Sequence, residues 1–342
     1  MKLYNQLSND QRRALLEEAG EDRLTISFYQ YFKIEEPKAF RDELYKVWDA
    51  MNVCGRIYVA NEGINAQLSI PAPRFEEFKI HLYSIKELDG IRLNVAIEQD
   101  NMSFLKLKVK VREKIVADGL DDSTFDPSDC GKHLKADEFN KIITKEDTIL
   151  IDMRNHYETE IGHFDGAITP DVDTFKQSLP MIQEEILKGN EDKDIVMYCT
   201  GGIRCEKASA YFKHQGYPNV YQLEGGIIEY TNQVNDKGLE NKFKGKNFVF
   251  DERRAERISD DVIAECHQCG KPCDTHVNCA NKACHLLFIQ CEECAAKYDH
   301  CCSHECQEVI ALPEVEQKKI RQGVNLGNNV FRKGRSQHLR KQ

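Results

Sequence analysis

Residues 194–215, DIVMYCTGGIRCEKASAYFKHQ, decide the fold class. A short apolar run ends at Cys199, the loop Thr200 to Arg204 follows, and the stretch from Cys205 to Gln215 has helical character. Strand, glycine turn and helix in that order predict one unit of a parallel sheet, where ligands bind at the carboxyl ends of strands. Loop amides that precede a helix point inward, and the positive end of the helix dipole adds to their pull on an anion. Gly201 and Gly202 have no Cβ and are expected to let the backbone curl into an anion-binding nest. Cys199 is therefore expected to be a thiolate at neutral pH and the catalytic nucleophile, because helix N-termini and nearby cations lower an ordinary thiol pKa of about 8.5. Arg204 is expected to offer a fixed charge and a bidentate fork to an anionic sulfur or oxygen substrate. A cysteine buried only for packing would explain neither the glycine pair nor the arginine. Cys205 is either a resolving thiol for an adduct on Cys199 or the first residue of the helix, with the second favoured.

Outward from this loop, residues 130–240 alternate short apolar strands with helical stretches. TILIDM (148–153) is a strand, and KADEFNKII (135–143) and FKQSLPMIQEEIL (175–187) are helical. This alternation predicts an α/β domain with helices on both faces of a parallel sheet. Residues 1–120 form a separate unit. TISFYQYF (25–32) is followed by a helix in which Phe40, Leu44, Val47, Trp48 and Met51 recur at helical spacing. GRIYVA (55–60), AQLSI (66–70), a second helix over 73–85 and the strand IRLNVAI (91–97) complete the order βαββαβ of a ferredoxin-like sandwich. In residues 105–112, Leu105, Leu107, Val109 and Val111 alternate with Lys106, Lys108, Lys110 and Arg112. That pattern makes a strand with one basic face, which is either an edge protected by lysines or a surface for phosphates. An acidic linker over 118–129 separates the two units, and residues 246–264 connect the second unit to a cysteine-rich segment.

Ten of the 14 cysteines lie between Cys266 and Cys306. Two-residue spacings let a pair of thiolates grip one ion from a tight turn, and four thiolates complete a structural zinc site. The expected ligands are Cys266, Cys269, Cys279, Cys284, Cys291, Cys294, Cys302 and Cys306, with His267, His276, His285 and His304 as substitutes. A segment over 246–312 with few large apolar residues needs such a staple. The chain carries a formal charge of −10, yet residues 317–342 hold eight basic and no acidic side chains. An acidic body with a basic tail, expected to be disordered over 313–342, suggests a polyanionic partner. With a mean hydropathy of −0.58 and no apolar run of membrane length, neither a membrane partner nor a secretory leader is expected. Reduced thiols in the cytoplasm follow from that. Nothing signals an obligate protein partner, and no flavin or nicotinamide fingerprint occurs.

CTGGIR, taken with IDMRNHYETEIGHFDGAI (151–168) and the Gly225–Gly226 pair, resembles a rhodanese domain. The resemblance implies that Cys199 carries a persulfide or related sulfur adduct. Thr200, Gly201, Gly202, Ile203 and Arg204 would form the active-site loop, with Asp152 and Arg154 orienting it. Arg154 and Glu158 would take part in an ordinary salt bridge rather than in the chemistry. Four residues separate Cys199 from Arg204, one fewer than the phosphatases of this architecture need, which favours sulfur chemistry. Taken end to end, the chain resembles the bacterial tRNA uridine hydroxylases of rhodanese type. That resemblance implies tRNA as partner and a hydroxyl placed at carbon 5 of the wobble uridine, position 34, with molecular oxygen as co-substrate. The alternatives are a sulfurtransferase passing persulfide sulfur to tRNA or a small acceptor, and a module in which the fold only docks a partner.

Overall fold

The computed structural model describes residues 7–120 and 124–324. It opens with helix α1 (Asn9–Ala19), started by a capping box in which the Ser8 hydroxyl accepts from the Gln11 N–H and the Gln11 side chain accepts from the Ser8 N–H. Then come β1 (Arg23–Tyr31), α2 (Pro37–Ala50), β2 (Cys54–Ala60), β3 (Gly63–Pro71), α3 (Phe75–Ser84), β4 (Asn94–Val95) and β5 (Leu107–Val111). The sheet order is β4-β1-β3-β2-β5, antiparallel around β3, with β5 added in parallel to β2. This is a ferredoxin-like sandwich extended by one edge strand. The stretch 91–97, a full strand by its sequence pattern, pairs only at Asn94 and Val95, against Ser27 and Ile26. Side chains alternate across the sheet. Ile26 and Phe28 point into a core built on Trp48, whose ring meets Phe28 edge-on at 6.5 Å and Phe78 at 5.3 Å. Thr25, Ser27 and Tyr29 point the other way.

The central unit contains β6 (Lys132–Leu134), α4 (Ala136–Ile142), β7 (Thr148–Asp152), α5 (His156–Thr159), β8 (Gly162–Phe164), α6 (Phe175–Met181), β9 (Asp194–Tyr198), α7 (Ile203–His214), β10 (Val220–Leu223) and α8 (Gly226–Lys237). Its sheet is wholly parallel, in the order β6-β10-β9-β7. Alternation along β7 and β9 divides the core in two. Ile149, Ile151, Ile195 and Met197 pack with residues of α6 and α7, while Leu150, Val196 and Tyr198 pack with residues of α4 and α8. Cys199 comes one step beyond β9 on the first of these faces.

The last part holds β11 (Phe243–Phe248), β12 (Ala255–Arg257), β13 (His276–Asn278), β14 (Leu287–Ile289), α9 (Glu292–Lys297), α10 (His304–Ala311) and α11 (Glu314–Arg321). The sequence pattern predicts only a connector over 246–264; instead β11 is the middle strand of a small sheet, antiparallel to β8 on one side and β12 on the other. The pairing welds the cysteine-rich segment to the central unit. Order also continues past residue 313, since α11 occupies the start of the expected irregular tail. The rest of that tail, 325–342, lies outside the described residues.

Candidate active site

β9 delivers Cys199 to the loop with its side chain 1% exposed. The Gly202 N–H donates to the Cys199 Sγ at 3.1 Å. Gly202 adopts φ +101°, and a Cβ there would stand 2.9 Å from the Tyr29 Oη. Gly201 has neither a positive φ nor a tight neighbour, so only one glycine of the pair is demanded by the backbone. From the opposite side, the N–H groups of Ile227 and Ile228 donate to the carbonyls of Cys199 and Thr200 at 3.0 and 3.2 Å. Gly226 permits this approach, because a Cβ at that position would lie 2.5 Å from the Cys199 carbonyl oxygen.

Burial opposes ionisation of Cys199, but the Cys205 thiol, the Arg204 charge and the amides of Cys205 and Arg204 outweigh it, and the pKa falls to about 6. Cys205 is fully buried on the first turn of α7, with its own thiol pushed well up by burial and by Cys199. The two sulfurs thus share one proton-donor and acceptor contact. Arg204 corrects an expectation. Although it lines the cavity, its fork is engaged by Glu158, with Nη1 to Oε1 at 2.6 Å and Nη2 to Oε2 at 2.9 Å, rather than left open for a substrate anion. Asp152 and Arg154 form a second buried pair beneath the sheet end, closed at 2.6 Å, and Arg154 also donates to the Gly162 carbonyl. Neither lines the cavity over Cys199.

That cavity, about 460 Å³, is floored by Cys199, Thr200 and Gly201 and roofed by the polar face of the N-terminal sheet, with Ser27, Tyr58 and Gln67 among its walls. Local patterns within the sequence give no sign of this roof. Tyr29 Oη donates to Glu206 Oε2 at 3.1 Å, and Asn94 Nδ2 donates to the Gly201 carbonyl at 3.2 Å. Deeper in the same seam, Lys207 is fully buried between Glu62 at 2.7 Å and Asp118 at 3.5 Å. Asp118 opens a stretch that reads as a solvated linker, yet it is 1% exposed.

Residues 23–115 match the UPF0176 acylphosphatase like domain, 135–233 the Rhodanese-like domain and 244–307 the Rhodanase C-terminal domain. Over 334 residues the chain is 56% identical to the tRNA uridine(34) hydroxylase of Yersinia pestis (strain Pestoides F), covering 97% of this chain and 94% of the relative. The chain belongs to the tRNA uridine(34) hydroxylase family. The family member from Photorhabdus laumondii is 54% identical over the same length, covering 97% of this chain and 95% of the relative. Among solved structures, a rhodanese-like domain protein from Staphylococcus aureus is 23% identical with a TM-score of 0.24, covering 29% of this chain and 90% of that one.

In this member of the tRNA uridine(34) hydroxylase family the eight cysteines singled out as ligands converge as two groups. Cys266, Cys269, Cys291 and Cys294 form one, and Cys279, Cys284, Cys302 and Cys306 the other, with the sulfurs of each group all within 4.8 Å of one another. Either group could hold a metal ion. His267, His276, His285 and His304 belong to neither, and Cys273 and Cys301 are left out as well. No disulfide occurs among the described residues.

Proposed function

We propose that this protein hydroxylates carbon 5 of uridine 34 in tRNA, with oxygen taken from molecular oxygen and Cys199 as the catalytic nucleophile. The observation that carries this is a thiolate with a pKa of about 6 on the floor of a cavity lined mostly by apolar and neutral polar groups from two domains, where Arg204 and Arg253 are matched by Glu158 and Asp251. A neutral heterocycle suits such walls, and nucleophilic activation needs an ionised sulfur. Thr200, Gly201, Gly202 and Ile203 shape the loop, Arg204 locks it to Glu158, and the Asp152–Arg154 pair braces the strand end below. Enzymes that modify a base take it out of its stack into an active-site pocket.

Both sulfur groups fit structural zinc. A tetrahedron with Zn–S bonds of about 2.3 Å has S···S edges of about 3.8 Å. The measured edges are 3.7 Å for Cys269–Cys291, 3.7 Å for Cys284–Cys302 and 3.8 Å for Cys302–Cys306. Zinc would brace the segment that carries part of the cavity wall, without taking part in the chemistry. No described helix is long and apolar enough to cross a membrane, and a tRNA substrate supports a cytoplasmic enzyme.

Cys199→Ser tests the role of the thiolate. The hydroxyl keeps the size but not the charge, so tRNA modification should vanish while tRNA binding persists. Inserting oxygen and exchanging oxygen for sulfur add the same nominal mass, so isotope decides the reaction. Under heavy-isotope oxygen gas the label should enter the uridine; sulfur label in the base instead would move the function to sulfur transfer.

A further inference from the structure

β5 is the open edge of the N-terminal sheet, with Leu107 and Val109 in the core and its lysines on the other face. Parallel pairing sets Arg56 of β2 beside Lys108 and Tyr58 beside Lys110. Like charges as direct neighbours on one sheet face repel. Among the described residues, Arg56, Lys108 and Lys110 have no carboxylate within ion-pair distance, and Lys106 reaches only the Asn9 amide oxygen, at 2.8 Å. Burial and then Lys106, Arg56 and Lys110 lower the pKa of Lys108, which is how an uncompensated cluster behaves.

Arg56, Lys106 and Lys108 line one wall of a groove of about 480 Å³. The facing wall comes from the end of β11 and from the cysteine-rich segment, and includes Arg254, Asn278 and His285. Arg254 and His285 sit at φ +63° and +50°, the left-handed region that residues with a Cβ avoid. Non-glycine residues held there tend to mark functional sites. Arg254 is fixed by its donation to the His276 carbonyl at 3.0 Å. Of the two acidic residues in the groove, Asp251 is engaged by Arg253 and only Glu252 opposes the cations. The groove adjoins the cavity over Cys199: Arg56, Phe104, Val249, Phe250 and Asp251 line both.

We propose that this groove is the track of the RNA ribose-phosphate backbone, with the strand passing Arg56 as its uridine enters the cavity and a flanking phosphate resting between Arg56 and Lys108. The proposal rests on tRNA being the substrate. A mostly neutral cavity for the base and a cationic groove beside it for the backbone is the division of labour that single-stranded RNA recognition requires. Three separate parts of the chain, β2–β5, residues 248–254 and the 278–285 turn, must be assembled before it exists.

The test is tRNA binding by the full chain as salt is raised, using an unmodified transcript with uridine at the wobble position. Each phosphate contact on a single strand contributes about 0.7 to the slope of log affinity against log salt. The double variant Lys106→Gln, Lys108→Gln should therefore lose about 1.4 of slope, so that its affinity falls roughly sevenfold less than the wild type's between about 50 and 200 mM salt. Lys188→Gln with Lys237→Gln, outside the groove, removes the same charge and should leave the slope unchanged. A wild-type slope in the Lys106/Lys108 variant overturns the groove assignment, as does an equal loss in the Lys188/Lys237 control. Wild-type protein with no tRNA affinity at the lowest salt overturns the substrate reading itself.

Discussion

Cys205→Ala should raise the pKa of Cys199 and slow its reactions at neutral pH. Lowering a thiol from an ordinary value near 9 to about 6 represents about 4 kcal/mol of preference for the thiolate. Burial of Cys199 acts against that preference, so the favourable contacts together exceed it. The Cys205 thiol stands first among them, ahead of Arg204 and the loop amides. A hydrogen bond to a charged acceptor is worth about 1.5–3 kcal/mol, and a thiol is a weak donor, so about 1.4 kcal/mol, or one pH unit, is the expected loss. The sign follows from which state loses support: the thiolate loses a donor, so its midpoint moves up. At pH 7 the ionised fraction should fall from about nine-tenths to about half, and near pH 5 the rate of thiol alkylation should fall about tenfold. The assay is the pH dependence of alkylation by iodoacetamide, followed by mass spectrometry on the peptide that contains Cys199. A midpoint that stays near 6 in the variant would show that the Cys205 thiol contributes nothing. A wild-type midpoint near 9 would refute the thiolate itself.

Metal analysis of the purified protein should find two zinc ions per chain, and Cys291→Ser should lower both the metal content and the melting temperature; protein free of thiophilic metal would remove the staple. Gly226→Ala should cost stability by more than the about 1–3 kcal/mol of left-handed strain alone, because its Cβ would meet the Cys199 carbonyl at 2.5 Å. Gly238→Ala, at φ +61° in open space, gives the strain alone, and equal melting temperatures for the two variants would contradict the steric account. Glu62→Ala should destabilise by about 1–3 kcal/mol, because buried Lys207 loses its nearer partner and keeps Asp118 at 3.5 Å, and Glu62→Leu with Lys207→Met should recover part of that loss. Calorimetry checks both, and a single variant as stable as the wild type would mean that the seam is held by other contacts.

What was legible in the sequence was local. The βαββαβ order, the parallel units around β9 and the Cys199 loop all follow from periodicity and spacing within stretches of ten to thirty residues. The seam between the domains was not legible, because Tyr29 and Glu206, or Glu62 and Lys207, are joined only by the fold. Asp118 sits among acidic residues and reads as solvated, yet it is buried against Lys207. Arg204 misleads for a related reason. Its place in the loop suggests a substrate contact, while its partner, Glu158, comes from α5 and takes both arms of the fork. The stretch 91–97 has the composition of a strand, but Asn94 turns its amide to the Gly201 carbonyl, and pairing stops at two residues.

The two buried arginines beneath the loop each have a carboxylate partner: Arg154 is matched by Asp152 and Arg204 by Glu158. The thiolate is held first by the Cys205 thiol, then by the Arg204 charge and the loop amides, with the Gly202 N–H at 3.1 Å. A small dianion such as thiosulfate would need an uncommitted cation beside the sulfur, and the fork that would serve is already spent. A uracil ring carries no charge and makes no such demand. Arg56, which lines the cavity, and Lys106 and Lys108, which line the adjoining groove, have no carboxylate partner among the described residues, and a phosphate backbone would run there. The cavity lining is mostly neutral, with Arg204 and Arg253 matched by Glu158 and Asp251, while the groove carries Lys106, Lys108 and Arg254, which favours a nucleoside in RNA over a small sulfur donor as the molecule this site is built to hold.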